Sequence, residues 1–547
     1  MKLIPIPIPV NGLNTIDPTV TLETGYAREL TNLFVNNGKV KVRPAARVLH
    51  YFSLQSKSAA WFDTSSGTPY LIEYFGGSIR NVSSGSITGS VGGSVQAAGT
   101  MFKHHTIDVL CGCKEPRSPA GPNFTSHGFT LNQITDETTI ISGCSHRGRP
   151  YFTDGEYVEY GDVGQVTGAF ASDGLAGGYF DPSPYLDGQI VLRIFSVTIQ
   201  QGNESDNVLV LFGDGGKVLV YSGDWPDADN FALVGSYNMA KPASLTSFLE
   251  IDGDIIVSSQ EYCYWFRDLL TSGPIAAYEN RPSKAIQNLW QSLEWETPFL
   301  QKETPHIFYL KNLVDADGVG LTNLDVIVFQ TLSGAGQFEV LVDIADYQNQ
   351  AVYLVYMRQT RAWALWMMTP MFSPVRQGDD PNTYYALGAS GEIKTFFIDK
   401  FADNYLDTAS NSLLEVEIEG NWKTPYVNTF KGISIAVKGV RFFFTNTVSK
   451  FFNVIRAIYD FSDYTANFGF ATQDTSSNPL NPANSNTASL DASANTSGIY
   501  SGLVNPGGLG AGVSIQFNFQ RKSGSDIDQK QEILGATLLA DEGGVLY

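Results

Sequence analysis

The residues best placed by type and spacing to do chemistry are Cys111-Gly112-Cys113 and Cys144-Ser145-His146. Side chains two positions apart on a strand share a face, so each triplet can aim two ligands in one direction. Together Cys111, Cys113, Cys144 and His146 have the donor set of a tetrahedral zinc site. The spacing argues against one: structural zinc ligands come as C-x2-C or wider, and His104, His105 and His127 add no better geometry. The expectation is small residues packed or exposed beside glycine turns, with no metal or other cofactor. Calcium is suggested by Asp315-Ala316-Asp317-Gly318 and by Asp224, Asp227 and Asp229. In the first, Val319 and Val326 stand where an EF-hand needs an oxygen ligand and its bidentate Glu, so turn-forming aspartates are expected.

Phosphate and nucleophilic chemistry find little support. Gly213-Asp214-Gly215-Gly216-Lys217-Val218 is too short for a phosphate loop, and Val218 replaces the required Ser or Thr. There is no Gly-x-Ser-x-Gly elbow and no cysteine with an evident partner. With 55 acidic residues a carboxylate pair carries no information, and the repeated Ser-x-Asp-x-Gly-x-x-Trp turns of sialidase propellers are absent. Catalysis is not expected.

The elements that would position such residues are short strands. Val208 to Phe212 and Lys217 to Tyr221 flank an Asp-Gly-Gly turn, and Ser247 to Ile251 leads through Asp252-Gly253-Asp254 into Ile255 to Ser258. With the aromatic run Tyr262 to Phe266, this makes about one propeller blade. Similar strand pairs recur from Ser58 to Tyr160 and from Thr304 to Met357, with a helical insertion predicted at Ser283 to Leu293. Tyr26, Leu30, Leu33 and Phe34 recur at helical spacing before Asn37-Gly38, which predicts a short helix there, followed by an edge strand Lys39 to Arg43. The prolines of Met1 to Pro9 predict an extended arm lying against another surface and leave no signal peptide.

Composition agrees with a mainly β chain. Of its 547 residues 53 are Gly, 12% are aromatic and only 16% are charged, which favours strands and tight turns. A formal charge of −20 argues against a groove-reading nucleic-acid binder, though an acidic wall suits a conduit through which DNA must slide. No run of 18 apolar residues predicts a membrane span, and 4 cysteines are too few for a disulfide scaffold.

Three patches carry a family resemblance: Asn32-Leu33, Asn37-Gly38 and Val42-Arg43-Pro44; Tyr221 to Pro226 with Asp229-Asn230-Phe231; and Tyr353 to Tyr356 through Arg358 and Arg361 to Trp363-Ala364-Leu365-Trp366, followed by Tyr384 to Gly388 and Gly391 to Ile393. They resemble the tail-tube hub, or nozzle, proteins of short-tailed bacteriophages, the packaged-DNA stabilisation and tail tubular group. Read alone, Arg43 is a solvated strand end, and Trp363 and Trp366 are blade packing. The resemblance implies a virion tail protein assembled in the host cytoplasm as a homohexameric ring. Its implied partners are a tail adaptor, tail fibre or spike and needle proteins, and genomic DNA passing through the lumen.

The expected architecture is a β-propeller over 48–409, after an N-terminal arm, helix and edge strand over 1–47, with an appended β-sandwich-like platform domain over 410–547. Within 465–512 the background is Asn, Ser, Ala, Thr and Gly, too polar to fold alone, so this insertion is either a mobile loop or ordered by neighbours. Asn478, Asn481, Asn484, Asn495 and Asn505 are its candidate channel or tip residues. The competing function is a carbohydrate-binding or carbohydrate-active propeller, since aromatic and Asn-rich surfaces suit sugars.

Overall fold

In a strand such as Val208 to Phe212 there is no polar face, and the computed structural model shows why: all five residues are completely buried, and they feed two different cores. Val208, Val210 and Phe212 pack with Phe248, Ile255 and Val257 of the next sheet, while Leu209 and Leu211 pack with Tyr151, Val158 and Tyr160 of the preceding one. A strand sandwiched between two sheets must be apolar on both sides. The structure describes 2–51, 140–164, 178–295, 306–313, 324–334 and 351–369, apart from 18–21 and 202–203, and within 58–133 and 371–545 chiefly the strands.

The sheets repeat as radial blades of a β-propeller. Antiparallel meanders of four strands span Ser58–Ser90, Thr100–Gln133, Ser142–Phe180 and Val191–Asn238; a three-stranded sheet spans Phe248–Trp265; and Ile307–Met368 forms the next four strands. The seventh blade is built from Met371–Arg376, Tyr384–Gly388, Glu392–Phe397 and, as its outer strand, Ala45–Tyr51 from the other end of the chain. Glu392 pairs with Tyr51 and Phe397 with Ala45, so an N-terminal strand closes the circle. The first strand of this blade lies against Ser58–Phe62, the first strand of blade one. Seven blades are thus formed among the described strands.

Among the described residues blade five has three strands and no fourth. Cys263–Trp265 runs directly into the helix Phe266–Glu279, broken at Gly273 (φ 80°) before Pro274, and Phe266, Leu269 and Ala277 fill the space beside blade four. The strand expected to continue through Phe266 therefore stops one residue earlier. The insertion predicted at 283–293 is helical: a 3-10 turn, Pro282–Ile286, precedes the helix Gln287–Ser292, which buries Ile286 and Trp290.

The helix predicted before Asn37-Gly38 is a correction. Tyr26–Ala27, Glu29–Thr31 and Leu33–Asn36 are strands, and residues 29–36 are buried on every side, so a helical stripe and a doubly buried strand look alike in sequence. Asn32, at φ 54°, separates two of them. Asn37 (φ 51°) and Gly38 (φ 70°) form the tight turn of a hairpin, not a helix stop.

These N-terminal strands join blade six to the C-terminal region. Glu29–Thr31 lies between Ala362–Met368 of blade six and Gly420–Lys423, in a 12-stranded sheet that continues through Gly512–Gln520 to Lys450–Tyr459. A second sheet pairs Ile433–Asn446 with Gln531–Val545, which in turn pairs with Lys39–Val42 and with the arm strand Lys2–Ile6. Part of the insertion is ordered by neighbours: Ile499–Val504 pairs with Ile433–Asn446, and Leu490–Asp491 with Lys450–Tyr459.

Arg43 ties these pieces together. It is completely buried, bonds both oxygens of Asp403 (3.0 and 2.5 Å), and donates to Asn32 Oδ1 (3.0 Å), the Pro44 carbonyl (2.9 Å) and the Met367 carbonyl (2.6 Å). The solvated strand end expected from sequence is thus a buried junction of the N-terminal strands with blade six and with Asp403. A bidentate guanidinium–carboxylate pair with the remaining N–H groups bonded is the arrangement that makes burial of charge tolerable.

Candidate functional site

Of the cysteines and histidines singled out in the sequence, Cys111, Cys144, His104 and His146 fall on the strands of blades two and three. Ser142–His146 is the first strand of blade three, between Thr100–His104 of blade two and Val191–Gln201 of blade four. Cys144 and His146 alternate with Gly143 and Ser145 along it, and both are buried.

The zinc set is only partly within the described residues. Cys113 lies outside the described residues, as do His105, His127, Asp315 and Asp317. Among the described residues no group of three or more His, Cys, Asp or Glu side chains could hold a metal ion. Cys111 and Cys144 are buried neighbours across a blade boundary, and a Cβ on Gly143 would collide with the Phe102 ring and stand 3.1 Å from Cys111 Sγ. Small residues are required here by packing. Burial, then the nearby Glu250 carboxylate, pushes the Cys144 thiol well above its ordinary value, so it is neither a nucleophile nor a ready ligand.

Two histidines cross blade boundaries in the same way, which the sequence reading missed. His104 Nδ1 lies 2.9 Å from Ser145 Oγ, and His146 Nδ1 lies 2.8 Å from Ser196 Oγ. In each case the last residue of one inner strand reaches a serine of the next blade. The repeated signal is a His ending an inner strand, visible only once the blades are aligned. A serine against an imidazole has the geometry of an activated nucleophile. Here burial, then Arg147, lowers the His146 pKa to about 4, and among the described residues no carboxylate is hydrogen-bonded to its ring. An imidazole so weakly basic, and buried, is suited to holding blades in register and not to general-base catalysis near neutrality.

At the rim of the same blades, Arg147 in the turn after His146 bonds Asp224 (2.6 Å) and also Asp206. Asp224 further accepts from Asn230 Nδ2 (2.9 Å), and Tyr160 donates to Asp227. Asp224 and Asp227, candidates for calcium, are engaged by an arginine, an asparagine and a tyrosine across blades three and four. Arg149 stacks over the partly exposed Trp225 at 4.8 Å. The hairpin 213–218 is confirmed: Asp214 to Gly216 forms its turn, anchored by Gln189 Oε1, which accepts from the Gly215 and Lys217 N–H groups.

Trp363 and Trp366 are almost fully buried packing residues, each with its indole N–H satisfied, by the Pro282 and Leu33 carbonyls at 2.8 and 3.1 Å. Trp363 packs with Trp290, Phe329 and Tyr356 between blades five and six. Asn478, Asn481, Asn484, Asn495 and Asn505 lie outside the described residues.

One group on the inner strands is not consumed by packing. Arg193, on the first strand of blade four, has its Nε and Nη1 buried with no hydrogen-bond partner, and its guanidinium stands 5.1 Å from the Phe195 ring centroid. Burial lowers its pKa to about 10. Glu250, on the first strand of blade five, opens to solvent, yet enclosure by protein raises its carboxyl pKa while Arg193 pulls it down. Cys111, Cys144, Arg193 and Glu250 therefore form one continuous electrostatic neighbourhood spanning four blades. It can attract an anion, but it presents no activated nucleophile.

No family model matches this sequence, and no curated protein matches it. Among solved structures, the chain is similar to the N-terminal region of BBS1 in a complex with ARL6 (10% identity, 66% of this chain, 98% of that chain, TM-score 0.38). It is also similar to a catalytically inactive virginiamycin B lyase of Staphylococcus aureus with quinupristin (9%, 64%, 99%, TM-score 0.36) and to the computationally designed Ika8 protein (10%, 65%, 100%, TM-score 0.33). The propeller assignment rests on the strand order given above.

Proposed function

We propose that this chain is a structural component of a short phage tail, a ring-forming nozzle or hub that extends the DNA channel, helps retain the packaged genome and lets it pass at ejection. It works by position and not by catalysis. The observation that supports this best is the fusion of propeller and C-terminal region: one 12-stranded sheet runs from blade six through Glu29–Thr31 to Gly420–Lys423 and beyond. A component of a pressurised conduit has to transmit load between its parts without hinging, and a shared sheet has that property. The formal charge of −20 supports it further, since a wall of that sign does not grip phosphates.

On this reading the partners are copies of the same chain, six by the family resemblance, a tail adaptor, fibre or spike proteins, and DNA bound without sequence preference. Electron microscopy of the purified chain, alone and with lysate from its source, tests it. Rings with a hole wider than a duplex, roughly 20 Å, are expected; monomers that ignore every virion component would sink the reading and favour a sugar-binding propeller.

A further inference from the structure

We propose that Arg193 is the anchor of a small-oxyanion site on the inner face of blade four, taking a phosphate or carboxylate group between blades three and five. Among the described residues, its guanidinium is the one cation on these inner strands whose buried N–H groups have no acceptor, at Nε and Nη1. Among the same residues no carboxylate lies within ion-pairing distance of it, and the Phe195 ring lies beneath it. The neighbouring arginines of blade three are engaged: Arg147 by two aspartates, and Arg149 by Asp162 and the Gly161 carbonyl.

Buried N–H donors that go unmet are unusual in folded proteins, and a planar guanidinium fork matches the geometry of carboxylate and phosphate oxygens. The surroundings favour a ligand that comes and goes. Glu250 faces the same space from blade five and repels a second negative charge, which weakens binding without occupying the guanidinium. Buried Cys111 and Cys144 lie near the guanidinium from blades two and three. The site is independent of the tail reading: it depends only on blades two to five.

Equilibrium dialysis of the full-length chain against labelled inorganic phosphate, with acetate as competitor, tests this. Saturable binding of one phosphate per chain is expected, lost in Arg193→Met. In Glu250→Gln it should tighten about tenfold, the effect of removing one partly screened neighbouring charge. Acetate displacing phosphate at lower concentration assigns the site to carboxylates; the reverse assigns it to phosphates. Equal phosphate binding by the wild type and Arg193→Met overturns the proposal. Should Arg193→Met fail to fold, an unchanged affinity in Glu250→Gln overturns it instead.

Discussion

Arg43 and Asp403 are 360 residues apart in sequence and 2.5 Å apart in the folded chain, and both are buried. Asp403 also accepts from the Ala46 N–H (2.8 Å), so the carboxylate joins the side chain that ends one sheet to the backbone of the strand that closes the propeller. Removing either partner strands the other charge in the interior. Arg43→Ala and Asp403→Ala should each cost about 3–5 kcal/mol in urea unfolding, and Arg43→Met with Asp403→Leu should recover much of that. Single variants within about 1 kcal/mol of wild type would show that the junction carries little.

Arg147 offers the contrast. It also engages two aspartates, but on a surface where all three side chains are partly exposed. Arg147→Ala is expected to cost no more than about 1 kcal/mol, an effect that shrinks further in high salt.

Acid should destabilise the fold through its buried histidines. In the folded chain burial lowers the pKa of His146 to about 4 and that of His306 to about 3, against an ordinary value of 6.5. The unfolded chain therefore takes up protons first. Stability is complete above pH ~6.5 and falls as pH drops, by up to about 1.4 kcal/mol per unit for each histidine, until the folded value is reached. Replacing His146 with Asn should remove its share of that slope in denaturation curves recorded between pH 6.5 and 4.

Two glycines with left-handed backbone should respond differently to alanine. Gly38 (φ 70°) has open space around it, so Gly38→Ala meets only the backbone penalty of about 1 kcal/mol. Gly12 (φ 71°) pairs with Trp363, and a Cβ there would stand 2.5 Å from the Trp363 nitrogen. Gly12→Ala should cost several times as much as Gly38→Ala in thermal unfolding; equal costs would mean that the arm shifts freely.

Buried thiols should be silent. Burial pushes Cys263 up to about 12 and Cys144 higher still. Neither should react with a thiol reagent at mildly alkaline pH until denaturant is added; prompt labelling of Cys144 in the native chain would contradict the burial described for it.

The hairpins were legible because their signals are local: Asp214 to Gly216 and Asp252-Gly253 specify turns within a few residues, and the flanking apolar runs have nowhere to sit except between sheets. Arg43 was not, since its acceptor lies in a strand 360 residues away and nothing beside Arg43 announces burial. The stretch 29–36 misled for a related reason. A strand enclosed on both faces loses its alternation, and what remains mimics a helical stripe. The His104–Ser145 and His146–Ser196 bridges were hidden because blades of such different sequence align only through their strands.

The closure by Ala45–Tyr51 also sets an order of events during synthesis. That strand waits for Glu392–Phe397, and Lys2–Ile6 and Lys39–Val42 wait for Gln531–Val545. On the ribosome Lys2–Ile6 and Ala45–Tyr51 thus emerge hundreds of residues ahead of the strands they pair with, and such non-local pairing is slow to form. The sheet that holds the arm therefore cannot be completed blade by blade: its pairing depends on Gln531–Val545, which is made after every blade.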